Sequence, residues 1–179
     1  GLWKDVELYQ LWVLLPRRPR LPPSVRVVRD GDLPRVPLGP GVEARVLMGA
    51  LGGVESPLVQ DCEVDVGVYD VRAEPGADIS FSAPYNSACH AYVRRGSVTD
   101  GVDDAKGGDF ITFDTERRDV GGARLPPPSA HESPPSAVAE GPGAAVGVGD
   151  AAPQALRAGP AGAELLLLAG RPVGGYAQR

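Results

Sequence analysis

Apolar and polar positions alternate most strictly at residues 62–69, where Cys62, Val64, Val66 and Val68 interleave with Glu63, Asp65, Gly67 and Tyr69. A period of two is that of a strand with one buried face. It puts the cysteine and valines inside, with Glu63 and Asp65 outside. Glu74-Pro75-Gly76-Ala77 follows. Proline supplies a fixed φ and glycine a positive one, as a type II turn demands at its central positions. Residues 87–93 then read as a returning strand that stops at Arg94-Arg95-Gly96. Further strands are expected at 9–15, 25–28, 42–48 and 144–148, with a short edge strand at 110–113. Asp30-Gly31-Asp32 and residues 49–53 read as turns. Residues 165–168 are a continuous leucine run bounded by Gly162 and Gly170, which predicts a strand buried on both faces. Its expected neighbour is the 9–15 strand or the Val64 strand.

Between these elements the pattern fails. Residues 16–23 are rich in proline, which removes backbone donors and fixes φ, so an extended surface segment is expected there. Trp3, Val6 and Leu8 fit a frayed amphipathic turn at best, leaving 1–8 ambiguous. Residues 106–143 carry Pro126-Pro127-Pro128, Pro134-Pro135, several serines and no sustained period. Apart from 110–113, such a composition does not bury enough apolar surface to offset chain entropy. It reads as a disordered insertion, either specific to a lineage or translated non-coding sequence. Surface loops absorb such insertions at little cost, because closure entropy grows only logarithmically with length.

The 179 residues suffice for one domain with a sizeable core. A formal net charge of −5 argues against a general nucleic-acid binder, which presents a basic face. Lys4 and Lys106 are the only lysines. Arg17, Arg18, Arg20, Arg26, Arg29 and Arg35 form the one basic region. Guanidinium groups there could hold a phosphate or an acidic partner, but no aromatic residues interleave to stack bases, and a solvated loop is the simpler reading. Cys62 and Cys89 lack metal-site spacing and point to a reduced, intracellular setting. No apolar run approaches the ~20 residues that span a bilayer.

The chemical inventory is thin. A transition-metal site wants three or four converging His, Cys or carboxylate ligands, and the chain has two histidines. His131 falls in the Pro-rich segment. His90 adjoins Cys89, but neighbouring strand residues point to opposite faces, so the two cannot share a metal or form a nucleophile pair. Glu63, Asp65 and Asp70 read as a polar outer face rather than paired catalytic carboxylates. No phosphate-binding glycine loop and no GxSxG are present.

One spacing stands out. In cupins, metal-binding β-barrels, a first motif runs glycine, five residues, His-x-His, four residues, Glu, six residues, glycine. Gly76 and Gly96 fall on its two glycines, while Ser82, Pro84 and Cys89 fall on ligand positions. The spacing is kept without its ligands. The flanks resemble the C-terminal half of the pirins, a bicupin family. Tyr9 to Pro16 (YQLWVLLP) looks like the opening of that half, and Met48-Gly49-Ala50-Leu51-Gly52 with Ser56-Pro57 looks like a turn before its strands. Asp103-Asp104-Ala105 matches a DDA after its hairpin, Gly149-Asp150 resembles a GEGD turn, and ELLLLAGRPV at 164–173 looks like a later strand. The resemblance covers 9–105 and 144–179.

That resemblance implies an all-β fold, a cupin-like antiparallel β-barrel or double-sheet jelly roll, incomplete at its C-terminus and interrupted by the 106–143 insertion. An edge is expected to be open beside 165–168. It also implies a metal-free barrel without catalytic residues or cofactor of its own, working as a structural and interaction module on an N-terminal barrel. In pirins that first barrel holds iron through three His and a Glu. The family is associated with quercetin dioxygenase activity and with nuclear transcription cofactors, so cytoplasm and nucleus are the expected locations. The alternatives are a fragment of a quercetin 2,3-dioxygenase, active only as part of a longer parent, and a stand-alone small-molecule-binding barrel.

Overall fold

A computed structural model describes residues 6–12, 25–58, 66–84, 87–116 and 151–170. Among them the regular structure is strand, save one 3-10 turn at Asp30–Asp32. The strands are β1 (Arg35–Gly39), β2 (Val42–Met48), β3 (Ala50–Leu51), β4 (Val54–Glu55), β5 (Val66–Ala73), β6 (Asp78–Pro84), β7 (Ala88–Thr99), β8 (Asp104–Lys106), β9 (Phe110–Thr112) and β10 (Ala151–Gly170). The large sheet runs β1-β2-β5-β10-β7-β8, with β6 paired to β10 and β9 to β7. The pairings given above for this sheet are antiparallel.

Two glycines turn this sheet into a double layer. The second half of β10, Ala163–Gly170, lies between β5 and β7, whereas its first half, Ala151–Arg157, pairs with β6. Register breaks between Ala158 and Ala163, where Gly162 has φ 77°. Gly96 in β7 lies opposite Ala163 with φ 73°. A Cβ at Gly96 would stand 2.0 Å from the Gly162 carbonyl oxygen, so only glycine lets the two strands bend together. Strands that change sheets at such bends make the corners of a jelly roll. One core cluster joins Val46, Tyr69 and Leu165 to Ile79, Val98 and Leu156. Each such side chain contributes roughly 1.5–3 kcal/mol on full burial.

β2 coincides with the expected 42–48 strand, and β9 with most of the expected edge strand. The Glu74–Ala77 turn is present, Ala77 N–H donating to the Glu74 carbonyl at 3.1 Å with Gly76 at φ 72°. Other expectations change. The chain leaving that turn becomes β6, which crosses to β10 instead of returning along β5. β7 passes through Arg94-Arg95-Gly96 and ends at Thr99, because Gly96 bends the strand rather than stopping it. Residues 9–12 and 25–28 are not strands, and Trp12, Val25 and Val27 are largely exposed. β1 was not foreseen, since Pro37 and Gly39 masked the inward pair Val36 and Leu38.

Leu165–Leu168 is a central strand segment flanked by β5 and β7, so no edge is open beside it. Its burial alternates: Leu165 and Leu167 face the core, and Leu166 and Leu168 the outer side. The sheet also reaches further than expected. Lys106 ends β8, Thr115 is buried and its hydroxyl donates to the Ser87 carbonyl at 2.5 Å. Residues 106–116 therefore belong to the sheet region. The expected strand at 144–148, Gly149-Asp150, and 117–143 with His131 lie outside the described residues, as do Cys62, Glu63, Val64 and Asp65.

Candidate functional site

β6 and β7 carry the positions singled out by the glycine spacing. Phe81 and Ala83 of β6 are buried in the core, and Phe81 meets Phe113 edge-on with centroids 5.2 Å apart. Ser82 stands between them in sequence and is half-buried, on the face away from the core. Pro84 ends β6, its backbone opposite Ala151. Cys89 of β7 does face inward at 1% exposure. Ser82, Pro84 and Cys89 thus do not form one inward-facing set. The spacing between the glycines is kept, but Ser82 falls on the outer side of β6.

The interior offers little to a metal. Burial pushes the Cys89 thiol up to about 12, which keeps it protonated, whereas a metal takes the thiolate. Ala91 and Val93 continue its face. Among the described residues, no three His, Cys, Asp or Glu side chains are placed to hold a metal ion. An iron centre does not fit these inward side chains. His90 lies on the opposite face from Cys89, as strand geometry requires. Its Nδ1 lies 3.2 Å from Thr112 Oγ1, and its ring stacks on Phe110 at 5.2 Å.

The polar chemistry gathers on the outer face of the large sheet. Asp70 is 3% exposed, although it was expected on a solvated face. Tyr69, Val71 and Ala73 of β5 face the core, so Val68 and Asp70 face outward, and Asp70 is buried there because two arginines cover its carboxylate. Tyr69 folds over Gly67, where a Cβ would meet its hydroxyl oxygen at 2.1 Å, and donates to the Ala50 carbonyl at 2.8 Å. Gly67 makes that inward aromatic fit.

Asp70 sits between two arginines. Arg45, its partner in register on β2, donates through Nη2 to Oδ2 at 2.5 Å. Arg94 donates through Nη1 to Oδ1 at 2.7 Å. The clamp continues outward, Arg45 to Asp30 and Arg94 Nη2 to Glu7 Oε2 at 2.8 Å, with Arg95 Nη2 to Glu7 Oε1 at 3.0 Å. Tyr9 meets Tyr92 edge-on at 5.9 Å and lies under the Arg94 guanidinium at 5.5 Å. Hydrogen bonds from Arg94 and Arg95 hold the Glu7 carboxyl at about 2. Burial works against the Arg94 charge, but bonds to Glu7, Tyr9 and Asp70 outweigh it and raise its pKa. Arg45 Nε and Arg94 Nε are buried without a partner among the described residues, a cost the carboxylates offset.

Of the expected basic region, Arg35 donates to Glu43 at 2.7 Å and lies 3.5 Å from Asp30, and Arg17, Arg18 and Arg20 lie outside the described residues. The sequence reading missed the Glu7, Asp70 and Arg94 cluster. Its signals were an acid between apolar neighbours in β5, Tyr69 and Val71, and paired arginines just before a bending glycine.

No protein-family model and no curated protein matches this sequence. Solved structures do. One is the crystal structure of GK1651 from Geobacillus kaustophilus, 21% identical, with 83% of this chain aligned to 47% of that one at a TM-score of 0.56. Another is quercetin 2,3-dioxygenase from Acinetobacter baumannii, 16% identical, 84% of this chain on 41% of that one, TM-score 0.54. An RmlC-like cupin from Shewanella frigidimarina is 14% identical and covered over 95% of its length, at a TM-score of 0.43. This chain spans less than half of the first two. At these identities the likeness is one of fold, and the chain folds as a cupin-like antiparallel β-barrel.

Proposed function

We propose that this chain is a metal-free cupin barrel of the pirin C-terminal type, a structural and interaction module that packs on an N-terminal, iron-binding barrel. The observation that carries the reading is the inward face of β6 and β7. Phe81, Ala83, Cys89 and Ala91 offer a single donor atom there, and that thiol is held protonated. A redox metal with open positions needs several ligands held by a rigid shell. Any flavonol oxygenation would then belong to the longer parent. A nuclear role with transcription-related proteins, or a cytoplasmic one, would come through the same partner barrel.

The fragment reading draws on the fold shared with quercetin 2,3-dioxygenase. A flavonol assay with oxygen and added ferrous iron separates the two. The interaction reading predicts turnover no faster than free iron, and formation of a complex when the chain is mixed with a separately expressed pirin N-terminal barrel. Turnover above free iron that is lost with His90→Ala, or no complex at any concentration, would overturn it.

A further inference from the structure

Residues 6–12 lie against the outer face of the sheet through side chains alone. Glu7 bonds Arg94 and Arg95, and Tyr9 packs on Tyr92. Among the described residues, no backbone hydrogen bond joins this strap to another element. Its other side chains face water: Val6 is 65% exposed, Leu8 79%, Leu11 51% and Trp12 90%. Phe110, opposite Tyr92 on β9, is 58% exposed. A strap docked on its own sheet therefore satisfies its charge and leaves its apolar side chains uncovered.

We propose that this strap is exchangeable, and that two copies of the chain associate by reciprocal seating of Glu7 and Tyr9 of one copy on Arg94, Arg95 and Tyr92 of the other. Among the described residues this surface is engaged by one segment, the chain's own Glu7-x-Tyr9, so a second copy is the partner that carries the matching chemistry. Contacts made within a chain and between chains are the same, so exchange forfeits none of them, which is the general logic of swapped dimers. What tips the balance is the apolar surface of the two straps, which a second sheet can cover. The connection permits it. Twelve residues, 13–24, join the strap to Val25 and include Pro16, Pro19, Pro22 and Pro23. Twelve residues reach at most about 40 Å when extended, and prolines reduce the entropy that an extended link gives up. The exchange does not depend on the family assignment above.

Light scattering over a concentration series tests the proposal, with a dimer expected for the natural sequence and a monomer for Glu7→Arg at unchanged circular dichroism. Because a lost dimer could also reflect misfolding, Glu7→Cys and Arg95→Cys are made on separate chains in a Cys62→Ser background, mixed, and joined by a short bis-maleimide. A cross-link between the two different chains is expected. A natural chain that stays monomeric, a dimer that survives Glu7→Arg, or a mixture that yields no cross-link between chains would each overturn the exchange.

Discussion

Arg94 on β7 reaches past β10 to bond Asp70 on β5, Nη1 to Oδ1 at 2.7 Å. In register, Asp70 lies opposite Leu166, and Leu166 opposite Tyr92. The reach depends on a register irregularity: Glu164 pairs with Arg95 and Leu165 with Val93, leaving Arg94 the extra residue of a bulge. A bulge re-aims the side chain it adds. With Arg45 on the other side, three strands and the strap are joined through one buried carboxylate.

Removing that carboxylate should be costly. Breaking a fully buried ion pair costs about 3–5 kcal/mol. Both arginines keep some access to water, 15% and 22% of the side chain, which reduces the loss to about 2–3 kcal/mol for Asp70→Ala. Asp70→Asn should lose less, because an amide still accepts. Urea unfolding checks both, and an Asp70→Ala protein as stable as the natural one would contradict the clamp.

The corner glycines should be unequal to an open-turn glycine. Gly76 has φ 72° with nothing within 4 Å of an added Cβ, so Gly76→Ala costs backbone strain alone, about 1–2 kcal/mol. Gly96→Ala adds the collision with the Gly162 carbonyl and should cost clearly more. Thermal unfolding of the two variants side by side measures the difference. Equal losses would mean that the strands do not bend against each other here.

How much of this could be read from the chain follows from what each residue type reports. β2 and the Glu74–Ala77 turn were legible because alternation and Pro-Gly are local signals. The faces of β5 were not. Val68 and Tyr69 are both apolar, and which one points inward is settled by Gly67 making room for the tyrosine ring and by the Ala50 carbonyl that receives its hydroxyl. The Gly76 to Gly96 spacing located two real bends in the backbone, yet spacing alone carries no face, and it did not report that Ser82 lies on the outer side of β6. The destination of β6 was equally hidden, since it rests on a pairing with β10, about seventy residues later in the sequence. Asp70 looked like a surface acid because its arginine partners are distant in sequence.

The strap should respond to acid. The Glu7 carboxyl is lowered from 4.5 to about 2 by its arginines. A depressed folded-state pKa means that the docking contribution is complete above about 4.5 and is lost as pH falls toward about 2. Fluorescence of Trp3 and Trp12 against pH should follow that window, and Glu7→Gln should abolish the transition. A Glu7→Gln profile identical to that of the natural chain would contradict the strap contact.

Cys89 should be unreactive while the protein is folded. Its thiol is 1% exposed and pushed up to about 12, and only the thiolate attacks a disulfide reagent. In a Cys62→Ser background, modification should be slow in buffer and immediate in denaturant. Rapid labelling of the folded protein would show that the interior beside Phe81 and Ala83 is open.

Elemental analysis of the purified chain, before and after incubation with ferrous iron and gel filtration, tests most directly the claim that this barrel holds no metal. The expected result is iron and zinc far below one equivalent in both samples. One equivalent retained through gel filtration, and lost with Cys89→Ala or His90→Ala, would contradict it.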